Sequence, residues 1–546
     1  MDSITIALAL LLAVILSGTI SRMSPFAIPL PLIQIAFGAL IAVVTGGGVE
    51  LEPDIFFLLF LPPLLFLDGW RIPKEGLFRD KGVILELALG LVVFTVLFVG
   101  LLIHWMIPAM PLAVAFALAA IVSPTDPIAV SAIASRVPIP NRLMHILEGE
   151  SLLNDASGLV CMRFAVAAAL TGTFSLVDAV GSFLWLALGG IAIGVGVVWL
   201  AMKAKEYAAR KLGEETGAQI LLSLLLPFGA YLAAEHLHCS GILAAVAAGI
   251  TMSYMELRGK ALAKTRVGQG AVWDTLQFAL NGAIFVLFGE QLPRIVSGAA
   301  RIVTETGHLH PVWLLVYVLA INVALALLRF GWVWVSLRFT MYRAARNGQE
   351  FRKPDWRIMV AASLAGVRGA ITLAGILTLP LVMSDGTTPF PARDLAIFLA
   401  AGVIVVSLIA ASIGLPIVLK DLELPPQPDH HQQEDEARIA AAKAAIRMID
   451  EMTNKMSEGR TDADRYSNVG TRLMEFYRHR IDGHSKTGDD AETVRLLEEA
   501  ERRLRLAALR AERDEYYRLG RNRKLPDDIA RKLVREIDLL ETRFTI

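Results

Sequence analysis

Only two cysteines, Cys161 and Cys239, occur in 546 residues. Both sit in apolar runs, which excludes a disulfide framework and reads as buried packing. Charge is scarce too: Asp, Glu, Lys and Arg make up 19% of the chain, where a soluble domain carries about 25%. The 52 acidic and 52 basic residues cancel, so the overall balance does not point to nucleic acid. His430, His431 and His484 lack metal-ligand spacing and read as solvent-exposed. Ser151 and Asp155 share a helical face, with His145 on the same segment. No nucleophile-elbow glycine motif or metal-binding His pair accompanies them, which argues against a membrane enzyme.

What the chain has in abundance is apolar sequence. It is 55% hydrophobic with a mean hydropathy of +0.55, which predicts an integral membrane protein. Stretches long enough to cross about 30 Å of hydrocarbon recur through the first 420 residues. They fall near 4–21, 27–45, 54–69, 83–106, 111–135, 142–170, 177–202, 216–236, 240–256, 271–293, 311–337, 357–382 and 394–419, giving thirteen helices. The N-terminus lacks a basic region and a small-residue cleavage site, so the first stretch reads as a retained span.

Basic residues concentrate in the loops after odd-numbered spans, including Arg71, Lys74, Arg79, Lys81, Arg136, Lys203, Lys205, Arg258, Lys260, Arg352 and Lys353. The positive-inside rule therefore puts the N-terminus outside and the C-terminus in the cytoplasm. Arg294, Arg301 and Arg393 are exceptions. Residues 1–420 form the transmembrane domain and 421–546 a cytoplasmic helical tail, about 40% charged, that begins with a proline-rich linker at Leu424.

Two spans carry helix-breaking sequence. Span five contains Val122-Ser-Pro-Thr-Asp-Pro-Ile, where two prolines bracket Thr125 and Asp126. Each proline removes a backbone donor and clashes with the preceding turn, leaving free carbonyls and a hydroxyl at membrane depth. Span twelve contains Ala365-Gly-Val-Arg-Gly-Ala-Ile-Thr, with Gly366 and Gly369 flanking Arg368. Paired interruptions seven spans apart point to an inverted-repeat secondary transporter. Between them, Glu148-Gly-Glu-Ser-Leu-Leu-Asn-Asp155 places three carboxylates in span six. A charge at that depth costs at least about 2.5–3.5 kcal/mol on insertion scales, so an ion or proton is handled there. Arg368 needs a counter-ion, and Glu150 is its natural partner, which leaves Asp155 to titrate. Glu148 lies nearest the cytoplasm and is given no transport role. Arg329 is either a structural charge or a side chain snorkelling to the interface. Asp68 and Glu290 read as carboxylates near span ends.

These residues resemble the sodium/proton exchanger family of monovalent cation/proton antiporters. The resemblance is carried by Leu61-Pro-Pro-Leu-Leu-Phe-Leu-Asp68, Ser123-Pro-Thr-Asp-Pro127, Glu148 to Asp155, Arg329-Phe and Gly366-Val-Arg-Gly-Ala-Ile, in the family's order. It implies an all-α membrane fold of thirteen helices with inverted repeats and two broken crossing helices, assembled as a homodimer in a bacterial inner membrane. A mobile core of spans four to six and eleven to thirteen would move against a dimerisation domain of spans one to three and seven to ten. The resemblance places the ion-binding aspartate on Asp155, preceded by Asn154 as in the electroneutral branch. It carries cation coordination onto Thr125, Asp126, Ser151 and Asp68, and the structural ion pair onto Glu150 and Arg368. No cofactor is implied; the partners are Na⁺, H⁺ and lipid.

The expected mechanism is one-for-one exchange of Na⁺, or of Li⁺ or K⁺, for H⁺. The Na⁺ ligands expected are Asp155, Asp68, Thr125 and Ser151, with cation and proton competing for one negative charge. A K⁺/H⁺ antiporter of the same fold and a passive cation channel are the alternatives.

Overall fold

The computed structural model describes residues 3–23, 28–45, 53–127, 130–131, 139, 141–172, 176–213, 215–256, 263–305, 312–346, 355–385, 387–420, 430–457, 463–485, 489–522 and 524–545. The linker at 421–429 and the loop residues Arg136, Arg258, Lys260, Arg352 and Lys353 lie outside them. Two compact units result, Met1–Leu422 and Glu423–Ile546. Both are helical, and the one strand-like pairing among the described residues is a bridge between Val382 and Pro389.

The first unit runs α1 (Ser3–Met23), α2 (Leu30–Thr45), α3 (Pro53–Arg71), α4 (Lys74–Arg79) and α5 (Lys81–Met106). Then come α6 (Leu112–Val122), α7 (Asn141–Thr171), α8 (Leu176–Leu212), α9 (Thr216–His236) and α10 (Gly241–Glu256). It closes with α11 (Ala263–Glu305), α12 (Val312–Arg346), α13 (Trp356–Leu364), α14 (Ala370–Leu377) and α15 (Arg393–Leu419). Among the described residues, seven helices are long and apolar enough to cross a membrane: α5, α7, α8, α9, α11, α12 and α15. Large apolar side chains remain on the outside of several, such as Leu97 and Trp105 on α5 and Trp185 and Leu188 on α8. A water-soluble monomer rarely tolerates that much exposed apolar surface; lipid accepts it.

The centre is α6, whose residues from Ala117 to Val122 are all inaccessible to solvent. Small residues permit close approach elsewhere, as is usual between helices in lipid. A Cβ at Gly38 on α2 would overlap the Val286 carbonyl on α11, and one at Gly289 would overlap the Ile35 carbonyl in return. Both substitutions would force these backbones apart. Near the N-terminus of α7, Asp80 is buried and accepts from Arg142 at 2.7 Å and Arg79 at 3.3 Å, anchoring α7 to the α4–α5 turn.

Hydropathy misjudges several helix ends. α11 continues to Glu305, well past the expected end near 293, because a helix stops where its backbone bonding stops and not where its side chains turn polar. Glu290 lies within α11, near the end of its apolar span at Val296, and is 3% exposed. Within α5, a π-helical stretch over Glu86–Leu91 receives Trp332 against Gly90, and Ser336 donates to Glu86 at 3.0 Å. Cys239 is buried and Cys161 is half-buried; both are free thiols.

The second unit contains α16 (His430–Ser457), α17 (Ala463–His484), α18 (Asp489–Arg521) and α19 (Asp527–Thr545). α16 packs on α17, and α18 on α19, where Arg513 bonds Asp538 at 3.1 Å and also pairs with Glu541. His484 departs from the solvent-exposed expectation. Its side chain is 9% exposed and its Nδ1 lies 3.0 Å from Asp435, because α17 folds back along α16. The side chains of His430 and His431 lie outside those described.

Candidate ion-binding site

Two helices of the membrane unit break where proline and glycine interrupt them. α6 ends at Val122, and helical backbone resumes at Pro127 after four irregular residues. The second helix ends at Leu364 as α13 and resumes at Ala370 as α14. The two gaps lie against each other: the Asp126 amide donates to the Val367 carbonyl at 2.7 Å, and Arg368 Nε donates to the Val122 carbonyl at 2.8 Å. Groups freed in one broken helix are thus satisfied by the other, which lets irregular backbone survive in a buried place.

Arg368 also donates to the Gly366 carbonyl, and its own amide donates to Ser407 Oγ at 3.1 Å. Its guanidinium is buried at the C-terminal end of α6, where helix carbonyls are negative. The expected Glu150–Arg368 ion pair does not form. Glu150 instead takes a bidentate pair from Arg329 on α12, at 2.5 and 2.6 Å. Arg329 Nε donates to the Ala362 carbonyl at 2.8 Å, and both charged side chains are under 5% exposed. Arg329 is therefore a structural charge and does not snorkel. The reason is directional: Arg368 turns toward the end of α6, while α12 brings Arg329 across to α7.

Glycine at 369 has a specific cause. A Cβ there would overlap the Asp126 carboxylate, which sits against the N-terminus of α14. That end of a helix favours negative charge.

A cavity of about 30 Å³ opens at the crossing, enough for one or two water-sized guests. Asp68, Thr125, Asp126, Ser151, Asp155, Gly369 and Thr372 line it, together with Leu61, Leu64, Leu65 and Ile284. The structure thus brings together Asp68 from α3, Thr125 and Asp126 from the first break, and Ser151 and Asp155 from α7. Asn154 stands behind the wall. Its Nδ2 donates to Thr125 Oγ1 at 3.0 Å, while its buried Oδ1 has no hydrogen-bond partner among the described residues. The Glu150–Arg329 pair lies outside the lining. Thr372 is the lining residue that sequence reasoning missed. Its signal was a hydroxyl three positions beyond Gly369, inside a motif read for its glycines and arginine.

The polar part of the lining consists of the carboxylates of Asp68, Asp126 and Asp155 and the hydroxyls of Thr125, Ser151 and Thr372. Asp68, Ser151, Asp155 and Thr372 have no side-chain hydrogen bond among the described residues, although Ser151, Asp155 and Thr372 are under 10% exposed. Several unpaired oxygens around one small space are the arrangement a dehydrated cation, or a proton on a carboxylate, relieves.

Comparison with known proteins agrees with this geometry. Residues 8–421 match the transmembrane sodium/hydrogen exchanger family. The chain is 44% identical over 543 residues to the Na⁺/H⁺ exchanger YjcE of Escherichia coli K12, covering 98% of this chain and 97% of that one. It is 42% identical over 456 residues to a sodium, potassium, lithium and rubidium/H⁺ antiporter of Bacillus pumilus, covering 83% and 67%. The fold is similar to that of the sodium/proton antiporter MjNhaP1 of Methanocaldococcus jannaschii, with a TM-score of 0.54 at 20% identity over 77% of this chain and 99% of that one. An all-helical membrane unit with interrupted helices meeting at a carboxylate-lined cavity, and a family match across that whole unit, lead to one conclusion: this chain belongs to the sodium/hydrogen exchanger family, multi-pass membrane antiporters rather than enzymes.

Proposed function

We propose that the chain exchanges Na⁺ for H⁺ one for one at a single site centred on Asp155. The observation that carries this reading is the shared cavity, where Asp155, Asp68, Ser151 and Thr125 converge. Cation and proton compete for the Asp155 carboxylate, so each turnover carries one or the other. Thr125 and Ser151 replace part of the ion's hydration shell, Asp68 and Asp126 add negative field, and Asn154 holds Thr125 in place. Glu150 and Arg329 form the structural ion pair, and Arg368 ties the two breaks together.

Alternating access follows from moving a core of α5–α7 and α12–α15 against a dimerisation domain of α1–α3 and α8–α11 in a homodimer. The crossing breaks, both within the core, support this division. Basic loops after alternate spans support an external N-terminus and a cytoplasmic C-terminus, in a bacterial inner membrane. A second reading, broader exchange of Na⁺, K⁺ and Li⁺, is favoured by the similarity to the sodium, potassium, lithium and rubidium/H⁺ antiporter of Bacillus pumilus.

The test is cation-driven proton flux in proteoliposomes, followed as dequenching of a pH dye. Competition predicts that lowering the pH raises the apparent KM for Na⁺ and leaves the maximal rate at saturating Na⁺ less affected. Wild-type exchange by Asp155→Asn, or a KM independent of pH, would refute the reading.

A further inference from the structure

Thr372, like the buried Thr265, has no side-chain hydrogen bond among the described residues, but of the two it is Thr372 that lines the cavity. Thr19, Thr251 and Thr275 each donate to the carbonyl four residues earlier, the usual resting place for a helical hydroxyl. Thr378, at the end of the same helix, donates to the Gly375 carbonyl at 2.6 Å. Thr372 has no such outlet. It lies in the first turn of α14, so the residue four earlier is Arg368, in the irregular segment outside the helix. The residue is 2% exposed, its hydroxyl has no hydrogen bond among the described residues, and it lines the cavity that holds Asp155. Thr372 is also the one hydroxyl the second broken helix contributes to that lining, as Thr125 is contributed by the first break.

We infer that Thr372 Oγ1 is a direct ligand of the transported cation and helps to set the preference among alkali cations. The inference rests on the ion site proposed above. A hydroxyl is both donor and acceptor, so it can turn a lone pair toward a cation and its proton toward a carboxylate when the cation leaves. A ligand fixed on a short rigid helix also fixes the size of the site. Moving or removing it changes which ion fits.

The experiment compares Thr372→Val and Thr372→Ser with wild type, as full-length protein in proteoliposomes, with Na⁺, Li⁺ and K⁺ offered separately. Valine keeps the shape and loses the oxygen. Its apparent KM for Na⁺ should rise about tenfold, the loss expected for one charge-assisted contact. That rise should exceed any fall in maximal rate, and the ratio of Na⁺ to K⁺ KM values should shift. Serine restores the oxygen and should bring the KM back to within about threefold of wild type. Stabilisation of the detergent-purified protein by added Na⁺ gives a readout independent of transport, and valine should diminish it. If the valine variant does not insert, Thr372→Ala removes the same hydroxyl and is read in the same way.

A valine variant with wild-type KM, cation ratio and Na⁺-induced stabilisation overturns the inference. Asp155→Asn separates it from the reading beneath it. If that variant still exchanges, the proposed site itself fails. If it is inactive while Thr372→Val behaves as wild type, only the role of Thr372 fails.

Discussion

Arg329 and Arg368 lie close in the fold and do different work. Arg329 neutralises Glu150, the one bidentate partner of a carboxylate 1% exposed. Replacing it with methionine leaves that carboxylate buried and uncompensated, a change that costs about 3–5 kcal/mol. Thermal unfolding in detergent should show a large loss of stability for Arg329→Met, and much of it should return in the Arg329→Met/Glu150→Gln double variant. An unchanged midpoint for the single variant would contradict the pairing. Gly369 is constrained by space. Gly369→Ala puts a methyl group onto the Asp126 carboxylate, so that side chain must leave its place beside α14. Exchange should fall by about tenfold or more, the scale of losing one charge-assisted contact, while the protein still inserts. Dequenching assays on matched amounts of protein check this.

Helix interruptions are legible in the sequence because proline and glycine act locally: their effect on backbone bonding does not depend on what packs nearby. Helix ends were less legible. α8 and α11 run past their hydrophobic stretches, and the π-helical turn at Glu86–Leu91 leaves no distinct trace in the sequence. Arg393, an exception in the charge pattern of the loops, has a local explanation. It donates to the Leu379 carbonyl at 3.0 Å and the Leu377 carbonyl at 3.3 Å, capping the C-terminus of α14. The loop before it is organised by Asp385, which accepts from the Thr387 and Thr388 amides at 3.0 and 2.9 Å and from the Thr388 hydroxyl. Those bonds, the Thr388 hydroxyl foremost, hold its carboxyl down to about 2 from an ordinary 3.8. Its folded value is depressed, so its contribution is complete above the ordinary value and is lost only as the pH falls through about 2. Amide exchange at Thr387 and Thr388 should therefore show protection that does not vary between about pH 5 and 8 once intrinsic rates are removed, and Asp385→Ala should abolish it.

At the scale of the molecule, every lining residue of the ion site belongs to the unit Met1–Leu422, and the unit Glu423–Ile546 has its own helical packing. A chain ending after Leu422 should retain Na⁺-driven proton flux in proteoliposomes. Complete loss of flux in a truncated protein that still inserts would mean the tail is required for exchange itself.

The family resemblance of the motifs added Asp68 and Ser151; the sequence by itself determined the membrane class, the two breaks and Thr125, Asp126 and Asp155 at the cavity. Each carries its signal in residue type and near neighbours, as a charge, a proline or a hydroxyl within an apolar run. Only the tertiary structure decided that Glu150 pairs with Arg329, that Arg368 caps α6, and that Thr372 lines the cavity with Asp155. Those contacts join residues far apart in the chain, and side-chain direction across packed helices depends on rotation and offset that local sequence does not encode.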